Sequence, residues 1–110
     1  MTLYLVGNAH LDPVWLWDWR EGFNEAINTT RAVLALMDEF PELTVVRGES
    51  ALYAFIEREA PETFARVRAH VAAERWEPVG GTFVQSDNNL PATATLLRQF
   101  EVGQTFFVVP

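Results

Sequence analysis

Apolar residues in the first third of the chain follow two different periods. The opening run "TLYLVGNA", residues 2–9, is almost continuously apolar, is rich in strand formers and breaks at Gly7. Such a run predicts a buried parallel strand that is covered on both faces. From Glu21 to Phe40, apolar residues instead recur every three or four positions. That spacing predicts an amphipathic helix, which Pro41 ends.

The rest of the chain repeats this alternation. "LTVVRG" predicts a second strand around Leu43–Arg47, Ser50 is the predicted N-cap of a helix, and Pro61 suits the first turn of another helix. "WEPVGGTFVQ" predicts a third strand, weakened by its glycines and Pro78, and a last helix follows "SDNNLP". The resulting order predicts an α/β fold in which helical crossovers join parallel strands.

Three strands make an incomplete α/β sheet, because both edges stay unpaired. We find no internal repeat or linker, so residues 1–110 are expected to form a single segment. The apolar run "FFVVP" at residues 106–110 adds to the expectation that this segment opens a larger α/β barrel or sheet. A free-standing chain is the competing interpretation.

Composition excludes several classes of protein. Hydrophobic residues make up 49% of the chain, which is enough for a core, and the net charge of -7 disfavours nucleic acid or an anionic membrane as a partner. With no cysteine, a zinc site would need His and carboxylate ligands. We see neither a membrane-spanning run nor a signal peptide, so a cytoplasmic location is expected.

Polar residues follow each of the three predicted strands, in "NAHLD", "RGES" and "VQSDNN". In parallel α/β folds, ligands bind where the C-terminal ends of the strands meet. The topology therefore predicts that seven polar side chains gather at one edge of the sheet: His10, Asp12, Glu49, Ser50, Asp87, Asn88 and Asn89.

The spacing of His10 and Asp12 suits a shared metal ion. On an extended segment, residues two apart point to the same side, and an imidazole nitrogen with a carboxylate oxygen suits zinc. Asn8 could add an outer hydrogen bond. The spacing is also common by chance, and Asp before Pro is an ordinary turn. His70 is the only other histidine and is expected to be a plain helix residue, so the metal site is expected to be incomplete.

Aromatic and acidic residues near these strand ends have two interpretations each. Trp15 could stack on the apolar face of a sugar, whereas Trp17 and Trp19 are expected to pack inside the protein. Asp87 could contact a substrate hydroxyl or could only cap a turn, as Asp and Asn commonly do.

Four stretches together resemble the N-terminal catalytic region of glycoside hydrolase family 38, the α-mannosidases. They are "NAHLDPVWLWDWREG", "LMDEFPEL", "ERWEPVGGTFVQSDNNLP" and "LLRQFEVGQTFF", in the same order and roughly the same spacing. The resemblance covers nearly the whole chain and implies a zinc-dependent retaining α-mannosidase whose N-terminal domain is a seven-stranded α/β barrel. The βα units of this chain would form the first part of that barrel.

By this resemblance, His10 and Asp12 bind one zinc ion, Trp15 lines the sugar site, and Asp87 has a substrate-side or structural role. The family's nucleophilic Asp belongs to a later "PD-x-FG"-like motif, and a further zinc-binding His also comes later. This sequence contains neither, so no catalytic residue is assigned. "LPATAT" also departs from the Ser-Gly-Glu-Ser-like stretch that relatives carry.

The expected function is hydrolysis of terminal α-mannosyl residues in an α-mannoside or oligosaccharide, with the rest of the catalytic domain as a partner. The 110-residue chain alone is expected to be inactive. A mannosyl-glycerate-type hydrolase and a truncated, non-catalytic carbohydrate- or metal-binding relative are the alternatives.

Overall fold

The predicted alternation of strands and helices is present in the computed structural model, which describes residues 1–108. Val109 and Pro110, the end of the "FFVVP" run, lie outside the described residues. Six elements follow one another along the chain: α1 (Trp19–Glu39), β1 (Val45–Arg47), α2 (Ser50–Glu59), α3 (Pro61–Ala72), β2 (Trp76–Pro78) and α4 (Thr93–Val108). The segment is thus a small α/β unit with two parallel strands and four helices.

The two strands pair in parallel, with Val45 opposite Trp76 and Arg47 opposite Pro78. Gly7 adds a parallel bridge to Val45 on the other side of β1. Two hydrogen bonds make this bridge, from Gly7 N to Thr44 O at 3.0 Å and from Val46 N to Gly7 O at 2.9 Å. β1 therefore lies in the middle, between the first segment and β2.

The prediction of a buried first strand is wrong for residues 2–6. Only Gly7 pairs with β1, and the side chains of Leu3, Tyr4 and Leu5 are 73%, 86% and 81% exposed. Among the described residues, no second layer covers this run. Its apolar character therefore does not produce burial here, because burial needs a partner surface as well as apolar side chains.

The helices cover one face of the sheet and build the core there. Alternate residues of β1 explain this arrangement, since Val45 and Arg47 are buried while Val46 is only partly so. The main buried cluster joins helices α1, α2 and α3 to both strands: Leu34, Met37, Val45, Tyr53, Val67 and Trp76. A smaller cluster joins Ile27 of α1 to Ile56 and Ala60 around α2.

Two further predictions about element ends are wrong. Glu49, not Ser50, is the N-cap of α2, and Ser50 is the first helical residue. The carbonyls of Thr82 and Phe83 accept the N–H groups of Ser50 and Ala51, both at 3.0 Å, so the helix needs no serine cap. The third strand stops at Pro78, because Gly80 and Gly81 adopt positive φ and turn the chain away.

Helix α1 matches the predicted helix within two residues at its start and one at its end. Arg75 closes its C-terminal end, where Nη2 donates to the carbonyls of Met37, Phe40 and Leu43 at 2.9, 2.9 and 3.2 Å. No helix within residues 1–108 is long and apolar enough to cross a lipid bilayer.

Candidate functional site

The strand ends meet at one edge of the sheet, as the topology predicts. Gly7, Val45 and Trp76 are neighbours across the three parallel segments. His10 follows Gly7 by three residues and Glu49 follows Val45 by four, so both lie beyond the same edge. The segment after β2 also returns to this edge, where it contacts the start of α2.

His10 and Asp12 lie side by side at this edge. Nε2 of His10 is 3.2 Å from Oδ1 of Asp12, and the two side chains are 48% and 47% exposed. Two donor atoms held by one tetrahedral zinc at about 2.0–2.1 Å stand roughly 3.3–3.4 Å apart. The pair therefore fits two corners of a zinc site, and the same distance also allows a long hydrogen bond between them.

The segment that carries this pair is held against the first turns of α1. Nε1 of Trp17 donates to the carbonyl of Asp12 at 3.0 Å. Gly22 is buried in α1, and a Cβ there would lie 2.2 Å from the carbonyl oxygen of Pro13. Only a glycine allows the loop to approach α1 this closely. This close approach is a positioning device that the sequence patterns did not reveal.

The three tryptophans have three different surroundings. Trp15 is 69% exposed, close in sequence to the His10–Asp12 pair. Trp17 is partly buried and braces the Asp12 carbonyl. The prediction that Trp19 packs inside the protein is wrong, because it begins α1 with a 43% exposed side chain whose ring meets that of Phe23 edge-on at 6.2 Å. Trp15 is therefore the tryptophan with the largest ring surface free to meet a ligand.

Glu49 is an acidic residue that was predicted at this edge, with no role assigned to it. It is only 4% exposed, and its φ of 69° is unusual for a residue other than glycine. Its Oε1 accepts the backbone N–H of Gln85 at 3.3 Å. This hydrogen bond ties the end of β1 to the segment that leads to Asp87.

The charges around Glu49 show which groups it faces. Burial raises the pKa of the Glu49 carboxyl, and this rise outweighs the lowering by the Gln85 N–H, by His10 and by Arg47. The negative charge of Asp12 acts in the opposite direction and raises the pKa. Glu49 therefore interacts electrostatically with both members of the candidate metal pair.

Asp87 stabilises the turn in which it lies. Its exposed carboxylate accepts the backbone N–H of Asn89 at 3.0 Å, and its carbonyl accepts that of Leu90 at 3.1 Å. This is the turn geometry typical of Asp. No hydrogen bond or ion pair joins Asp87 to His10 or Asp12 among the residues that the structure describes. The structure thus brings His10 and Asp12 together at the edge that also carries Glu49, and it engages Asp87 in its own turn.

His70 stands apart from this edge, in the last turn of α3. Burial lowers the pKa of its imidazole, and the charge of Arg75 lowers it further. Across residues 1–108, no three His, Asp, Glu or Cys side chains are grouped closely enough to hold a metal ion. A zinc ion placed between His10 and Asp12 would therefore have no third His, Asp, Glu or Cys ligand among these residues.

Comparison with known proteins identifies the family. The model of the glycosyl hydrolases family 38 N-terminal domain matches residues 1–109. The chain belongs to this family. An α-mannosidase of Saccharomyces cerevisiae is 34% identical over 108 residues, and human α-mannosidase 2C1 is 30% identical over 107 residues. Each alignment covers 97% of this chain and 10% of the relative.

The family 38 segment described here therefore spans about a tenth of the length of the curated relatives it matches. α-Mannosidase G of Dictyostelium discoideum is similar to it to the same degree, with 30% identity over 105 residues. The alignments include the stretch from His10 to Asp87, so the candidate site lies within the part that family 38 proteins share.

Proposed function

We propose that this family 38 chain provides the first metal-binding segment of a zinc-dependent retaining α-mannosidase that cleaves terminal α-mannosyl residues. The observation that carries the proposal is the 3.2 Å separation of His10 Nε2 and Asp12 Oδ1 at the end of a parallel segment. The α-mannosidase names of its relatives supply the reaction class. The segment would be the opening part of a seven-stranded α/β barrel, and its open sheet edge and exposed residues 2–6 support this.

Each side chain of the site has a chemical task under this proposal. Neutral His10 and ionised Asp12 offer lone pairs to the cation, which when bound would orient sugar hydroxyls and polarise them. The exposed ring of Trp15 offers an apolar surface to the C–H face of the sugar. Trp17 and Gly22 hold the loop in place, so that the two donor atoms need not be reorganised when the cation binds.

Retaining hydrolysis also requires two carboxyl groups about 5–5.5 Å apart, a nucleophile and an acid/base. We assign neither to this chain. Asp87 is engaged in its own turn, and Glu49 is too deeply buried to reach a sugar. We therefore infer that the 110-residue chain alone has no turnover. A cytoplasmic location stays a prediction.

Zinc titration by calorimetry tests the metal pair. We expect His10→Ala and Asp12→Ala each to abolish zinc binding by the chain, because each removes one of two ligands. His70→Ala is the matched control, since it removes the only other histidine and should leave the titration unchanged. Equal zinc affinity in the wild type and in both site variants would refute the proposed site.

An activity assay tests the second part of the proposal. The chain alone should not hydrolyse an aryl α-mannoside, whether or not zinc is supplied. Hydrolysis that a chelator abolishes would show that the chain holds a complete active site. Zinc binding without hydrolysis agrees with the proposal, and the same result would come from a non-catalytic metal-binding relative. An assay on the full-length protein that carries this segment separates these two.

A further inference from the structure

The edge that carries His10 and Asp12 also holds one buried acidic side chain, that of Glu49. Its place follows from the register of the three parallel segments. Gly7 pairs with Val45 in parallel. His10 comes three residues after Gly7 and Glu49 comes four residues after Val45, so both lie beyond the same edge of the sheet. The charges of His10 and Asp12 both act on the Glu49 carboxyl, as expected for groups at one edge.

Burial raises the pKa of the Glu49 carboxyl, and two of its neighbours act against that rise. The backbone N–H of Gln85 donates to Oε1 at 3.3 Å, and a hydrogen bond to a carboxylate stabilises its ionised form. Arg47, two residues earlier on the same face of β1, adds a buried positive charge. A divalent cation held by His10 and Asp12 would favour the same ionised form.

The backbone of Glu49 is also strained. A φ of 69° costs a residue other than glycine about 1 kcal/mol or more, yet glycine does not stand here. A capping role does not explain the glutamate, because its side chain makes no capping hydrogen bond to α2. The N–H groups at the start of α2 are satisfied instead by the carbonyls of Thr82 and Phe83. A strained, buried acid therefore lies at the same edge of the sheet as two donor atoms that suit a cation.

We propose that Glu49 is a positioning residue of the metal site, whose buried negative charge strengthens the hold of His10 and Asp12 on a divalent cation. Glu49 is not a ligand in this arrangement, since the described residues contain no group of three donors close enough to share an ion. It acts as an outer charge, in low-dielectric surroundings where charges are weakly screened. This inference rests on the metal site proposed above.

Two substitutions separate the charge of Glu49 from its hydrogen bond. Glu49→Gln keeps an acceptor for the Gln85 N–H and removes the charge. Glu49→Asp keeps the charge, shortens the reach to Gln85 and tolerates positive φ. We expect zinc affinity to fall about tenfold in Glu49→Gln, the lower end of what outer groups contribute, and to stay within about threefold in Glu49→Asp.

Glu59→Gln is the matched control, because it makes the same change of charge at the other end of α2. Helix α2 has ten residues, so the two glutamates are separated by about 15 Å along it. Zinc affinity should be unchanged in this variant. If Glu49→Gln binds zinc as tightly as the wild type, or if Glu49→Asp loses more affinity than Glu49→Gln, the charge does not act on the site and the inference is wrong.

The outcomes distinguish this inference from the proposed function. If the wild type binds zinc and His10→Ala does not, the metal site stands, and the Glu49 variants alone decide the inference. If His10→Ala binds zinc like the wild type, both fail. Should circular dichroism show that Glu49→Gln is unfolded, carbon-13 NMR of labelled wild-type glutamate decides. During the zinc titration, the chemical shift of the Glu49 carboxyl should change with the same midpoint as the His10 signals. A Glu49 shift that does not change overturns the inference.

Discussion

The helix-covered side of the sheet and the segment of residues 1–16 are both rich in apolar side chains, but they differ in burial. Leu34, Leu52 and Trp76 are almost fully enclosed, whereas Leu5, Trp15 and Leu16 are 81%, 69% and 89% exposed. Leu34, Leu52 and Trp76 lie between helices and strands of the described chain. Leu5, Trp15 and Leu16 have no such elements packed over them among the described residues. Apolar character therefore marks which residues are suited to burial, and the neighbouring elements decide which are buried.

The largest expected difference between these regions is in the free energy of unfolding, and substitution of one tryptophan in each region tests it. Trp76→Ala should lower the free energy of unfolding by about 3–5 kcal/mol, because it leaves a cavity and removes the hydrogen bond from Nε1 to the Tyr53 hydroxyl. Trp15→Ala, which removes an exposed ring, should change it by less than about 0.5 kcal/mol. Urea denaturation measures both. Similar shifts in the two variants would contradict the difference in burial.

A smaller effect is expected from pH on the helix-covered side. Burial raises the pKa of Tyr53 to about 12 from 10.0, so the folded state holds this proton more tightly than the unfolded state. The resulting stability is fully present below pH 10 and is lost as the pH rises to about 12, a loss of roughly 2–3 kcal/mol. Urea denaturation at pH 8 and at about pH 12 measures it.

Two variants control this pH dependence. Tyr53→Phe should be less stable at pH 8, because it loses the hydrogen bonds to Arg47 O and from Trp76 Nε1, but it should lack the loss at high pH. Tyr4→Phe, in the exposed first segment, should keep that loss. A Tyr53→Phe variant that retains the full loss would show that another group causes it.

The smallest expected effect lies where the two regions meet. Ala at an interior helix position is normally more stable than Gly by about 0.5–1 kcal/mol. Gly22→Ala should instead lower stability by about 1–2 kcal/mol, because its Cβ would overlap the Pro13 carbonyl. It should also weaken zinc binding by moving the loop that carries Asp12. Asn24→Ala, exposed on the same helix, is the control, and a stabilised Gly22→Ala would mean that the loop does not lie against α1.

The periodic parts of the chain were predictable from sequence because their signals are local. The three-and-four spacing of apolar residues gave α1 nearly to its ends, and Pro61 marked the first residue of α3. The order of strands and helices and the parallel pairing followed from the same patterns. The closeness of His10 and Asp12 is local too, since residues two apart on an extended segment point to one side.

Other features depended on contacts between distant residues, which no local pattern encodes. Ser50 had the character of a helix cap, but carbonyls from residues 82 and 83 made that cap unnecessary. The third strand is shorter than predicted, because the chain turns at Gly80 and Gly81, and the backbone of Gly81 lies against Gly103 and Gln104 of α4.

The sequence by itself determined the α/β order, the family resemblance and the two neighbouring donor atoms of His10 and Asp12. Only the tertiary structure decided that residues 2–6 are exposed, that Gly22 lets the loop rest on α1, and that Glu49 is buried at the edge where His10 and Asp12 lie. The physical reason is that periodicity and short spacing act within a few residues of chain. Burial, close approach and the electrostatic surroundings of a charge depend on which distant segments pack together.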